Sequence, residues 1–262
     1  MLGSVSIEQF ERTMSEKGWF VFDRALDDKF ISRLRSDCLK WIDICSEYQI
    51  RNGINECGDG TAHHCLGAAD SIDRFIDMHL FHDYIASYFG NQPYICNSLT
   101  PIGGFPGADI YVHKLHRDVR TLIPGYPLKL NMLVMCDDFT AENGTMMLSG
   151  SHNRQEQPSD DEFERHYERL VAPAGSVVLF HSTLWHKGAH IKGPDNRVAL
   201  TVGYGRAYVK PHMDYARMLG EEYGKSLSPL TRQVLGYNSR VPTNLDEWYR
   251  PVEHRLYHAN QG

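Results

Sequence analysis

The sequence predicts a mainly β domain with a helical N-terminal wrap, and three observations carry that expectation. From about Tyr94 onward, short runs of aliphatic and β-branched residues are broken by glycine and proline, as in a sandwich or barrel. Ahead of them, apolar residues recur at helical spacing instead. The two patterns are segregated along the chain rather than alternating, which disfavours a parallel βαβ sheet.

Taken in order, Ser6 to Glu16 reads as a short amphipathic helix with Ile7, Phe10 and Met14 on one face. Gly18 ends it, and Trp19-Phe20-Val21-Phe22 reads as a strand. Asp27 stands where a cap is needed for a longer helix over 28–46, whose Phe30, Ile31, Leu34, Cys38, Trp41, Ile42 and Cys45 share one stripe. Residues 51–70 are rich in Gly, Asn, Asp and Ala and predict a long loop, either a lid or plain surface. Strands are expected over 108–113, 129–135, 176–180 and 198–202. From about Met213 the tail reads as partly helical and then irregular. No repeat, low-complexity tract or linker interrupts the chain, so one domain over 1–262 is the economical expectation.

With 262 residues and a hydrophobic fraction of 42%, the chain can bury a sizeable core without covalent staples. The net charge of −6 and the absence of any Lys/Arg run argue against nucleic acid or an anionic membrane as partner. A small molecule is the expected partner. The six cysteines (Cys38, Cys45, Cys57, Cys65, Cys96, Cys136) are scattered without a CxxC pair, and no disulfide framework is expected. The first ten residues lack the charged and apolar regions of a signal peptide, and no apolar stretch approaches membrane-spanning length. A reduced, cytoplasmic protein is the resulting expectation, and reduction would suit a ferrous site.

The chemistry is concentrated in two segments. Tyr111-Val-His-Lys-Leu-His-Arg-Asp118 offers an imidazole and a carboxylate two residues apart. On a strand such residues share a face, so His116 and Asp118 can grip one ion together. Leu179-Phe-His-Ser-Thr-Leu-Trp-His186 supplies candidates for a third ligand. Two histidines and one carboxylate on one side of an ion leave open positions for cosubstrate and O₂, as in non-haem Fe(II) oxygenases. The string His-Arg-Asp also occurs in protein-kinase catalytic loops, but those need Asn five residues after the Asp, where this chain has Ile123. Arg197 opens a further strand eleven residues after His186. Its planar fork suits the distal carboxylate of a 2-oxo dicarboxylic acid.

With these residues in view, the chain resembles the phytanoyl-CoA dioxygenase family of Fe(II)/2-oxoglutarate-dependent oxygenases over most of its length. The matching features are Glu16-Lys-Gly-Trp-Phe-Val-Phe22, His116-Arg-Asp118, the strand over 129–136, Asp137-Asp138, Glu142-Asn143-Gly144, Gly150-Ser151-His152, Leu184-Trp185-His186 and Arg197. The resemblance implies a double-stranded β-helix core (a cupin-like jelly roll), with Fe(II), 2-oxoglutarate and O₂ as cofactor and cosubstrates. His116, Asp118 and His186 would be the metal ligands, and Arg197 would bind the distal carboxylate. Asn143 and Gly144 would form a tight turn, and Gly150-Ser151-His152 would be structural. The family often carries Trp on the strand after the first ligands; Leu133 stands there, and by alternation Asn131 shares its inward face. Both are expected as cosubstrate neighbours. Ser149 replaces the usual Pro before Gly150, and Lys187-Gly188-Ala189-His190 replaces the small or hydroxyl residues that often follow the distal His. The second partner of the distal carboxylate therefore stays open. Asp118 itself argues against a halogenase, which needs that position vacated.

Three function classes follow. The first is a 2-oxoglutarate-dependent dioxygenase hydroxylating a small natural-product intermediate. The second is a cupin-like metal enzyme without 2-oxoglutarate, against which Arg197 speaks. The third is a catalytically silent β-helix protein that binds a ligand. His63-His64 is set aside as a second metal site, because adjacent loop histidines rarely converge on one ion. His113, His181 and His190 flank the ligand positions but lack their spacing.

Overall fold

The computed structural model describes residues 5–54, 60–104, 110–191 and 196–262. Helix α1 (Ile7–Lys17) is capped by Ser6, whose hydroxyl accepts from the Gln9 amide at 3.1 Å, and it buries Phe10 and Met14. Gly18 ends it in a left-handed conformation at φ +85°, where a Cβ would lie 2.5 Å from His152 Nδ1. Strand β1 (Trp19–Phe22) follows, then α2 (Asp28–Arg51), capped by Asp27 and longer than the sequence pattern predicts. Helices α3 (Ser71–Met78) and α4 (His82–Tyr88) precede β2 (Tyr94–Gly104) and β3 (Lys129–Met135). Then come β4 (Met146–Met147), α5 (Asp160–His166), β5 (Glu168–Arg169), β6 (Val177–His181), β7 (His186–Lys187) and β8 (Arg197–Arg206). Helices α6 (Tyr215–Lys225), α7 (Pro229–Val234) and α8 (Leu245–Trp248) close the chain.

The strands form two antiparallel sheets. The larger has the order β1-β6-β3-β8-β2, and the smaller the order β5-β4-β7. Strand β3 lies at the centre of the larger sheet and is buried along its whole length. Its Leu130, Met132 and Val134 join the core beneath the helices, together with Phe30, Leu34 and Ile72. Leu133 and Met135 point the other way and pack with Met147 of the smaller sheet. Two buried faces explain why Met132 to Met135 read as continuously apolar rather than alternating.

The strands expected over 129–135, 176–180 and 198–202 fall on β3, β6 and β8. The expectation over 108–113 does not hold. Residues 105–109 lie outside the described ones, and Tyr111–His113 is a single 3₁₀ turn closed by the His113 amide on the Ile110 carbonyl at 3.0 Å. His116 consequently sits in an isolated bridge, with Asp118 in a bend two residues on, rather than on a regular strand. The loop expected over 51–70 is irregular where it is described, with a single bridge at Thr61, but part of it is buried. Residues 55–59 lie outside the described ones, but Ala62 donates to the Pro101 carbonyl at 2.9 Å and His64 to that of Leu99 at 2.7 Å. Thr61, Ala62 and Cys65 are fully buried, while His63 between them lines the cavity described below. Helices hold more of the described residues than strands do, α2 alone running over 24 residues, and α3, α4 and α5 were not apparent from periodicity. None of the helices among the described residues is long and apolar enough to cross a membrane.

The expected Asn143-Gly144 turn is tightly built. The Gly144 amide donates to the Thr140 carbonyl at 2.9 Å, and a Cβ on Gly144 would lie 2.0 Å from the Leu170 carbonyl oxygen. Backbone cannot yield as a side chain can. Gly144→Ala should therefore lower stability by about 1–3 kcal/mol, read as a shift in the urea midpoint. An unchanged midpoint would contradict this packing.

Candidate metal centre

Strand β7 is only two residues long, yet it joins the two chemical segments. The His116 amide donates to the His186 carbonyl at 3.0 Å, and the His186 amide donates back to His116 at 2.9 Å. On its other side, His186 is paired with Met147 of β4. Two imidazoles seventy residues apart in sequence are thereby held with ring centroids 4.4 Å apart.

Each imidazole is fixed by a bond two residues back. His116 Nδ1 lies 2.7 Å from the Lys114 carbonyl, and His186 Nδ1 lies 2.9 Å from that of Leu184. A carbonyl only accepts, so each Nδ1 carries the proton and each Nε2 keeps its lone pair. Asp118 Oδ1 lies 3.5 Å from His116 Nε2, and Oδ2 accepts from Asn131 Nδ2 at 2.6 Å. One ligand atom from each of His116, Asp118 and His186 falls within 4.8 Å of the others, which among the described residues makes them the group able to hold a metal ion.

Electrostatics acts differently on the three groups. Burial holds the His186 imidazole down to a pKa of about 4, with neighbouring His116 adding to the effect. It is neutral near pH 7. Burial also opposes charge on His116, but the hydrogen bond and charge of Asp118 outweigh it and raise its pKa. Asp118 faces the cavity; despite burial, His116, His186 and Lys129 hold its carboxyl well below the usual carboxylate range.

These residues line a cavity of about 320 Å³ between the two sheets. Arg197 enters it from the start of β8 and is 6% exposed. Burial lowers its pKa to about 10, with Asp137 opposing the shift, so the guanidinium is charged near neutrality. It stacks 4.4 Å from the centroid of Phe139 and donates through one terminal nitrogen to the Asn143 carbonyl. Its Nε, buried, has no partner. An orphaned donor on a buried cation is costly, and it fits a carboxylate guest. Thr145, two residues beyond Asn143, lines the same cavity.

The structure thus brings His116, Asp118, His186, Arg197, Asn131 and Leu133 to one cavity. Asn131 differs from the expectation in one respect: its amide is committed to Asp118 and orients that carboxylate. His181 instead faces a different cavity, 2.7 Å from the Tyr88 hydroxyl, and His113 packs on His190. Ser151 accepts from the Trp185 amide at 3.0 Å, in keeping with a structural role for its motif. Lys129, Ser98 and Thr145 were not singled out from sequence. One further step of the alternation that selects Leu133 and Asn131 reaches Lys129.

Asn131 generates a test. Asn131→Ala frees the Asp118 carboxylate to rotate and should weaken divalent-metal affinity about 10- to 100-fold, measured by anaerobic titration with Mn(II) or Fe(II). Unaltered affinity would mean that the hydrogen bond does not position the carboxylate.

Residues 73–199 match the model of the phytanoyl-CoA dioxygenase family. Two uncharacterized proteins, from Mycobacterium bovis and Mycobacterium tuberculosis, are 35% identical over 159 residues, covering 60% of this chain and 58% of each of theirs. The chain thus matches a little over half the length of these curated relatives. The iron/alpha-ketoglutarate-dependent dioxygenase penM of Penicillium thymicola is 27% identical over 135 residues, covering 48% of this chain and 43% of that protein. Among solved structures, HygX from Streptomyces hygroscopicus, with nickel and 2-oxoglutarate bound, superposes with a TM-score of 0.60. It is 14% identical, and the match covers 83% of this chain and 95% of HygX, a likeness of fold. Over residues 73–199, the chain is similar to the phytanoyl-CoA dioxygenase family.

Proposed function

We propose that this chain is an Fe(II)- and 2-oxoglutarate-dependent dioxygenase that hydroxylates a C–H bond of a small molecule, with residues 1–262 acting as one double-stranded β-helix domain in a reducing, cytoplasmic setting. The observation that carries this reading is the buried Arg197, its Nε unpartnered, in the cavity that also holds the three-residue metal-ligand group. A cupin-like enzyme that dispenses with 2-oxoglutarate has no use for a buried cation there, and a silent binding protein has no use for both features.

In this reading His116, Asp118 and His186 hold the ion through Nε2, a carboxylate oxygen and Nε2, and leave its remaining positions open. Asn131 keeps the second Asp118 oxygen turned away by its 2.6 Å hydrogen bond. Arg197 receives the distal carboxylate of 2-oxoglutarate, and Thr145, which lines the same cavity, would donate a second bond to it. Leu133, Met147 and Phe180 form an apolar wall that keeps water from the reacting centre. When bound, the ferrous ion and 2-oxoglutarate supply O₂ activation, with succinate and CO₂ as coproducts. A natural-product intermediate is the substrate class we favour, since no basic cluster offers a seat for the phosphates of coenzyme A.

Succinate release with ferrous iron, ascorbate and 2-oxoglutarate tests the reading. Wild-type protein should form succinate above a heat-denatured control, and His116→Ala and Asp118→Ala should abolish it. Undiminished release by either variant would sink the ligand assignment. Arg197→Ala should raise the KM for 2-oxoglutarate about 30- to 150-fold, the loss of about 2–3 kcal/mol from a charge-assisted contact, with Arg197→Lys recovering part. An unchanged KM would place Arg197 outside the cosubstrate site.

A further inference from the structure

The cavity contains a second buried cation that the reading above does not use. Lys129 opens β3 and is 8% exposed, with burial depressing its pKa against the opposing pull of Asp118 and Cys96. Its ammonium donates to Ser98 Oγ at 3.3 Å. Gly203 makes that contact possible. A Cβ there would lie 2.4 Å from Lys129 Cε and 2.5 Å from Ser98 Oγ, so only glycine leaves this space inside a central strand.

Register places the two cations on opposite sides of the metal-ligand group. The inward residues of β3 run Leu133, Asn131, Lys129, about 7 Å apart at each step. Asn131 is bonded to Asp118 and so marks the level of the ligands. Leu133 pairs with Thr201 and Met135 with Ala199, so Arg197 lies beyond them in one direction. Lys129 pairs with Gly205, in the other. Arg197 therefore serves the cosubstrate side, and Lys129 faces the side left for the primary substrate. His212 lines that same cavity, its amide held by the Asn97 carbonyl at 2.9 Å.

Charge balance points the same way. A divalent ion, the Asp118 carboxylate, dianionic 2-oxoglutarate and the Arg197 guanidinium cancel. Asp137, the acid beside Arg197, is already paired with Arg35 at 2.7 Å. Lys129 hydrogen-bonds to a neutral hydroxyl, and the nearby Asp118 carboxylate is already counted against the metal, so a desolvated positive charge is left over that calls for a counter-ion. We propose that Lys129 and Ser98, in the space left by Gly203, form a subsite for the carboxylate of the primary substrate, making that substrate a small carboxylic acid. A monoanionic carboxylate completes the balance, whereas a phosphate dianion would overshoot it. The proposal rests on the 2-oxoglutarate reading of the site.

Protein loaded with Zn(II) and 2-oxoglutarate, which cannot turn over, gives a test that needs no knowledge of the natural substrate. Uptake of 2-oxoglutarate is measured first; its failure strikes the parent reading. Hexanoate, benzoate and cinnamate, each beside its primary amide, are then titrated by ligand-observed NMR. At least one acid should bind the wild type at least about tenfold more tightly than its amide, without displacing 2-oxoglutarate. Lys129→Met should lose that preference and Lys129→Arg should retain it, and Gly203→Ala, which crowds the ammonium without removing it, should weaken it if Lys129→Met does not fold. Absence of acid binding, equal binding of acid and amide, a preference that survives in a folded Lys129→Met, or acids that compete with 2-oxoglutarate would each overturn the proposal while leaving the cosubstrate reading standing.

Discussion

The reciprocal backbone hydrogen bonds between His116 and His186 are the joint on which the rest of the site depends. Neither residue lies on a long strand, and Asp118 follows in a bend. The pair of bonds substitutes for regular structure: it fixes the separation of two imidazoles, while the Lys114 and Leu184 carbonyls fix their tautomers. Behind His186, β4 and β5 complete a small sheet whose own edge contacts would be too few to stand alone. It is the packing of Met147 and Leu170 against Leu133 and Phe180 that holds this sheet over the larger one.

The cavity between the sheets concentrates charge where a protein core ordinarily excludes it. Arg197, Lys129 and Asp118 all face one apolar-walled space, and each carries a desolvation cost that the protein alone only partly offsets. The compensation that is present is local. Asn131 and His116 attend Asp118, the Asn143 carbonyl and Phe139 attend Arg197, and Ser98 attends Lys129. Asp137 and Asp118 act on the two cations only from a distance and each has another partner, and anionic guests of the right length would add direct counter-charge. Strain and unpaired polarity of this kind are expected where binding, rather than stability, has shaped the residues.

Much of this was legible from sequence because it rests on short-range rules. His116 and Asp118 follow as candidate ligands from residue type and spacing, His186 from the resemblance carried by Leu184-Trp185-His186, and β3, β6 and β8 from apolar runs bounded by turn residues. The strand proposed for 108–113 failed because the chain needs a turn there to present His116 and Asp118 from a bend. Helices α3 and α4 were missed because each is only two turns long, and α3 owes its start to an Asp70–Asp73 capping box rather than to a visible period. The segment 60–66 reads as a loop by composition, and only tertiary pairing with β2 buries it. Lys129 was hidden for a different reason: a lysine at the edge of a strand looks like a solvent-facing residue until Gly203, on a neighbouring strand, is seen to make room for it.

The central claim is that one ferrous ion on His116, Asp118 and His186 shares 2-oxoglutarate with Arg197. Anaerobic addition of Fe(II) and then 2-oxoglutarate tests it directly, because a 2-oxo acid chelated to ferrous iron acquires a visible charge-transfer absorption. The account predicts that the wild type develops this absorption with one equivalent each of iron and 2-oxoglutarate, that Asp118→Ala does not, and that Arg197→Ala needs much higher 2-oxoglutarate to reach it. No absorption from the wild type at saturating 2-oxoglutarate, or equal absorption from Asp118→Ala, would contradict it.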